Sequence, residues 1–127
     1  MKDYKPLLPI LLISPLAIAS DWGSREDLTA TADEINKTLP MMVDQITEAF
    51  VVAPYDHELE ISFRITTLQA SEISIDANRL KRERTNYACS NPKTRPLLDG
   101  GINIRYSYYD KNKKFVISTL IQKSDCV

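Results

Sequence analysis

The sequence predicts an α+β domain: a four-stranded antiparallel sheet made of two hairpins, with helices packed on one face and one disulfide. Three observations carry this expectation. Leu59, Ile61, Phe63 and Ile65 alternate with Glu58, Glu60, Ser62 and Arg64, and Ile102, Ile104, Tyr106 and Tyr108 alternate with Asn103, Arg105, Ser107 and Tyr109. A period of two gives a strand one dry and one wet face, unlike the doubly apolar strands of a parallel, helix-covered sheet. Between these strands lies a stretch of helical periodicity, so strand pairs flank a helix. The third observation is a lone pair of cysteines, Cys89 and Cys126.

The elements follow in chain order. Lys2 and Lys5 precede an apolar run over residues 7–16, and Ala17-Ile18-Ala19 places small residues where a signal peptidase reads them. Residues 1–19 are therefore predicted to be a cleaved export signal, the alternatives being an uncleaved anchor or a buried N-terminal helix. Residues 20–127 form one domain. The run is shorter than the roughly 20 residues of a bilayer span, so membrane contact is expected only during export. The implied location is periplasmic or secreted.

Residues 20–29 read as a loose lead-in. Leu28, Ala32, Ile35 and Leu39 then fall at helical spacing, predicting a helix over 29–39 that stops before Pro40. A strand over 47–53, a turn at Pro54-Tyr55-Asp56-His57 and the alternating strand 59–65 make the first hairpin. Ser71 is the expected cap of a helix running to Cys89, with Arg79, Lys81, Arg82 and Arg84 along its second half, where positive charge suits the helix dipole. Asn91-Pro92 reads as the cap and first residue of a short helix over 93–98, ended by Gly100-Gly101. The strand from Ile102, a turn over 109–113 and a strand carrying Phe115, Ile117, Thr119 and Ile121 complete the second hairpin.

Composition excludes several function classes. The 127 residues carry 16 Lys and Arg against 17 Asp and Glu, which is not the balance of a nucleic-acid binder. One His and two Cys cannot assemble the common structural zinc sites, and three glycines supply no phosphate-cradling loop. No metal and no cofactor are expected. In an oxidising compartment Cys89 and Cys126 should pair structurally, since a redox pair normally comes as CxxC.

Three segments, with the closing Asp125-Cys126, carry a resemblance. The first is Asn36-Lys37-Thr38-Leu39-Pro40-Met41-Met42-Val43-Asp44. The second is Cys89-Ser90-Asn91-Pro92-Lys93-Thr94-Arg95-Pro96-Leu97-Leu98, and the third runs from Gly101-Ile102 through Tyr106-Ser107-Tyr108-Tyr109-Asp110. Together they resemble a family of small exported proteins of Gram-negative bacteria. The resemblance implies an α+β domain, a periplasmic or secreted location and a Cys89–Cys126 bridge; it implies no catalytic residues.

Candidate chemistry is sparse. His57 stands in a polar turn with no GxSxG elbow to supply a nucleophile, and it reads as an exposed turn residue. Glu58 and Glu60 share one strand face and read as a solvated surface. Charge layout says more. Between Ser20 and Glu60 ten acidic residues face two basic ones, whereas Arg79, Lys81, Arg82, Arg84, Lys93 and Arg95 face Glu83 alone. Such clustering steers encounter with an oppositely charged surface.

The reading is an exported, non-catalytic interaction protein. Its partner would be a protein or an anionic envelope component, with no nucleic acid. Arg79, Lys81, Arg82 and Arg84 are candidate contacts, joined by Arg105 and Tyr109, which point away from the core face of their strand. Asn91, Pro92 and Arg95 are expected to be structural turn residues, the Arg95 fork tying carbonyls or a carboxylate together. The alternatives are a small periplasmic hydrolase using carboxylates alone on cell-wall or glycan material, and an inhibitor or immunity protein for an exported toxin.

Overall fold

The computed structural model describes residues 23–127, so the opening apolar run and its cleavage site lie outside the described residues. Helix α1 (Arg25–Asn36) begins earlier than the periodicity indicates. Ser24 Oγ accepts from Asp27 N at 3.2 Å while the Asp27 carboxylate accepts from Ser24 N at 3.3 Å. This reciprocal cap converts part of the expected lead-in into helix, and it lets Leu28 join Ala32 on the buried face.

Strand β1 (Met41–Met42) pairs antiparallel with β2 (Thr47–Tyr55), Met41 opposite Ala49 and Met42 opposite Glu48. It is a fifth strand that the sequence reading lacks, because two residues are too few to show a period. From β2 the chain turns through Asp56 and His57, the latter at φ 56°, into β3 (Glu58–Ile65). A bulge at Phe50 separates Ala49 from Val51. Gly23 packs beneath this turn at φ 105°, where an added Cβ would sit 2.6 Å from Ile102 Cδ1 and 2.8 Å from His57 Cδ2. Only glycine meets both demands.

After a 3₁₀ turn (Ala70–Glu72) comes helix α2 (Ala77–Ser90). Its cap is Asp76, accepting from Asn78 N and Arg79 N, and not Ser71. With the helix starting at Ala77, Arg79, Lys81 and Arg82 lie in its first half and Arg84 at its middle, where the dipole gives them no support. Asn91 closes α2 and Thr94 precedes helix α3 (Arg95–Asp99), so Asn91-Pro92 belongs to the link and not to the start of the second helix. Asn91 Oδ1 accepts from Lys93 N at 2.8 Å to shape that link.

Strands β4 (Asn103–Tyr109) and β5 (Phe115–Ile121) are antiparallel to each other. Between β3 and β4 the pairing is parallel, Glu58 opposite Asn103 through Arg64 opposite Tyr109. The sheet, in order β1-β2-β3-β4-β5, is therefore five-stranded and mixed, which corrects the four-stranded antiparallel expectation. The physical reason is the helical crossover, which returns the chain to the end of the sheet where β3 began.

All three helices feed the core from the same side. Leu28 and Ala32 of α1 pack with Val52, Leu59 and Ile102. Ala88 of α2 and Leu98 of α3 pack with Phe63, Ile104, Tyr106 and Ile121. Cys89 and Cys126 form the one disulfide, their Cα atoms 5.6 Å apart. Lys81 reinforces this closure, its Nζ donating to the Leu120 carbonyl and lying 3.0 Å from Asp125 Oδ2.

Asp110 organises the β4–β5 turn. Its carboxylate accepts from Asn112 N at 2.8 Å, Lys114 N at 2.9 Å and Ala70 N at 3.0 Å. The Lys114 N–H foremost holds its pKa below the ordinary 3.8. Backbone N–H groups likewise lower Asp44, through Ile46, and Asp125, through Gln122. A depressed folded pKa confers stability above the unfolded value, and that stability is lost as pH falls through the folded pKa. The thermal midpoint of the wild type should therefore drop steeply below about pH 4, and Asp110→Asn should drop less over that interval from a lower start. Midpoints recorded between neutral and acid pH check this; parallel curves would contradict the role of Asp110.

Candidate interaction surface

The strand alternation divides the sheet into a helix-covered face and an open one. Register places Val51, Ser62, Ser107 and Ser118 side by side in one row across the open face. No described helix crosses it, yet Ser62 and Ser107 are buried.

On one side of that row lies a cleft of about 390 Å³ lined by Tyr55, Glu58, Glu60 and Arg105. Arg105 Nε donates to Glu58 Oε2 at 2.9 Å, and its Nη1 donates to Ser118 Oγ at 3.3 Å. Ser107 Oγ donates to Glu60 Oε2 at 2.6 Å and Tyr55 Oη to Glu60 Oε1 at 3.3 Å. The negative charge of Glu60 raises the Tyr55 pKa. On the other side Tyr109 meets Phe50 and Phe115 edge-on, both centroids 5.7 Å away. Arg64, opposite Tyr109, lies on this side too, its Nε 3.1 Å from Glu48 Oε1 and its Nη1 donating to the Lys111 carbonyl. Arg105 and Tyr109 thus share the open face, though four positions apart on β4.

The basic set of α2 is not one surface. Arg79 Nε lies 3.0 Å from Glu83 Oε2, and Lys81 is held at Asp125 and Leu120. The Arg84 guanidinium sits 5.3 Å from the Tyr87 ring and 5.6 Å from the Tyr106 ring, covering the core edge. Burial raises the Tyr106 and Tyr108 hydroxyl pKa values, and the Arg84 charge partly opposes this. Arg82 is exposed and has no ion pair among the described residues. Three of the four cations are therefore engaged within the domain.

Arg95 Nε lies 2.9 Å from Asp99 Oδ1, and its Nη1 donates to the Cys89 carbonyl at 3.3 Å, beside the disulfide. His57 is exposed, and its backbone joins two elements: its N–H donates to the Gly23 carbonyl and its carbonyl accepts from Asn103 N. Asp56 turns to the start of α1, accepting from Arg25 N at 2.8 Å, so it does not join Glu58 and Glu60 in the cleft. Among the described residues no three His, Cys, Asp or Glu side chains could hold a metal, and no helix is long and apolar enough to cross a membrane.

Two groups escaped the sequence reading. Met41, Met42, Val43 and Ile46 all stand exposed at the β1 edge. The β4–β5 turn presents Lys111, Lys113 and Lys114 outward beside an exposed Phe115. The signal for the second was plain in Lys111-Asn112-Lys113-Lys114, but turn propensity alone absorbed it.

No family model matches the chain, and neither does any curated protein. Three solved structures share its fold. A Pseudomonas aeruginosa protein provisionally described as secreted is 17% identical with a TM-score of 0.71, over 81% of this chain and 92% of its own. The type 2 secretion system pilotin EpsS of Vibrio vulnificus is 13% identical with a TM-score of 0.66, covering 81% and 91%. The type II secretion system pilotin AspS of Vibrio cholerae is 16% identical with a TM-score of 0.62, covering 80% and 91%. At such identities the likeness is one of fold: a mixed sheet backed by helices, common to this chain and to proteins of secretion.

Proposed function

We propose that this chain is an exported, non-catalytic interaction protein that docks a protein partner on the open face of its sheet. The observation that carries the proposal is that face itself. It combines Arg105, Tyr109 and Phe115 with the exposed Val51 and Tyr55, and Arg with aromatic side chains is the composition enriched where proteins meet. The export signal read in residues 1–19 supports the location, and the fold shared with two pilotins supports an accessory role beside a secretion apparatus.

The carboxylate-only hydrolase has less behind it. Glycoside cleavage needs two acids facing each other across the scissile bond. Glu58 and Glu60 project the same way from one strand, and each is already engaged, by Arg105 and by Ser107 with Tyr55. An inhibitor of an exported toxin would use the same kind of docking face.

Affinity capture from an envelope extract tests the proposal. Val51→Arg combined with Tyr55→Ser should weaken the captured protein partner by more than about tenfold. Arg82→Gln should change capture little. Equal retention by the open-face variant would overturn the proposal.

A further inference from the structure

We infer that the β4–β5 turn is a docking point for an anionic lipid surface. Three exposed lysines, Lys111, Lys113 and Lys114, stand within four residues of one another, and none has an ion pair among the described residues. The one acid in the turn, Asp110, faces inward and is buried, its oxygens occupied by backbone N–H groups. The outward charge is therefore wholly positive.

The turn is also preorganised. Lys113 stands at φ 65°, and its N–H donates to the Asp110 carbonyl at 2.9 Å. Lys111 N donates to the Leu68 carbonyl at 2.9 Å, while its own carbonyl accepts from Arg64. Binding would have little backbone to order.

Next to the lysines stands Phe115, 54% exposed, with Tyr109 edge-on behind it. Lys113 Nζ rests 5.0 Å from the Phe50 ring. An apolar ring beside a cluster of cations fits a headgroup layer, where the lysines meet phosphates and the ring enters the acyl boundary. An acidic protein would satisfy the lysines, but a headgroup layer takes up the cations and the adjacent protruding ring at one boundary. This inference shares Phe115 with the protein-docking face, but it is carried by the three lysines at the tip of the turn, which that face does not use. It also extends membrane contact beyond the export step to which the sequence confines it.

The test is co-sedimentation with vesicles of phosphatidylcholine alone and of equal parts phosphatidylcholine and phosphatidylglycerol. Protein is expressed from its full coding sequence and purified as the host processes it, so wild type and variants share one N-terminus. Wild type should partition onto the anionic vesicles in preference to the neutral ones, and less so as salt is raised. Each lysine removed should lower that preference about fivefold. Lys111→Gln, Lys113→Asn and Lys114→Gln together should lower it about a hundredfold, asparagine being chosen because it accepts positive φ. Phe115→Ser should weaken binding at high salt as well as low. Val51→Arg with Tyr55→Ser, and Arg82→Gln, should leave neutralisation of the turn as the dominant effect. Undiminished anionic preference in the triple variant would overturn the inference. So would wild type that ignores anionic vesicles while binding an acidic peptide through the same lysines.

Discussion

Replacing Cys89 and Cys126 together by alanine is expected to lower the unfolding free energy by about 3–4 kcal/mol. The bridge closes 37 residues of chain, from the last turn of α2 to the penultimate residue, and opening it restores that freedom to the unfolded ensemble. The folded state changes less. Lys81 still holds Leu120 and Asp125, and Arg95 still holds the Cys89 carbonyl. Small domains have only about 5–15 kcal/mol of stability, so this is a large share. Urea unfolding of oxidised wild type and the double variant measures it. A loss below about 1 kcal/mol would mean that the loop is already restrained without the bond.

Leu98→Ala is expected to cost about 3 kcal/mol, within the range of roughly 2–5 for buried leucines. Leu98 is fully buried among Ala88, Ile104, Tyr106 and Ile121, where two helices meet β4 and β5. It also anchors α3, whose five residues are too few to persist on helix propensity. Cys89 and Cys126 pack against the same cluster. Loss of Leu98 and loss of the disulfide therefore should not add, and a triple variant measured beside the single and double ones gives the coupling. Val43→Ala, on the exposed β1 edge, should change stability by less than about 0.5 kcal/mol.

Strands β3 and β4 were legible because alternation needs only near neighbours in the chain: each residue's own pleat position declares its face. That same alternation put Arg105 and Tyr109 opposite Tyr106 and Tyr108, and the open face carries them. The start of α1 was written in Ser24 and Asp27 as capping chemistry, which apolar periodicity alone passed over; for α2 both Ser71 and Asp76 could cap, and only the structure selects Asp76. Other features had no local trace. Two residues of β1 show no period, and a half-open strand alternates identically whether its neighbour runs parallel or antiparallel. The β3–β4 direction depended on the path of the helical crossover.

By itself the sequence determined the α+β composition, the availability of a disulfide and the face on which each strand residue stands. Only the tertiary structure decided which charges remain available. It joined Arg105 to Glu58 across 47 positions and Lys81 to Asp125 across 44, and it left the lysines of the β4–β5 turn outside any ion pair among the described residues. The physical reason is range. A side chain's direction follows from the pleat or helix turn it occupies, whereas its partner is whatever strand register and helix packing bring within a few ångströms.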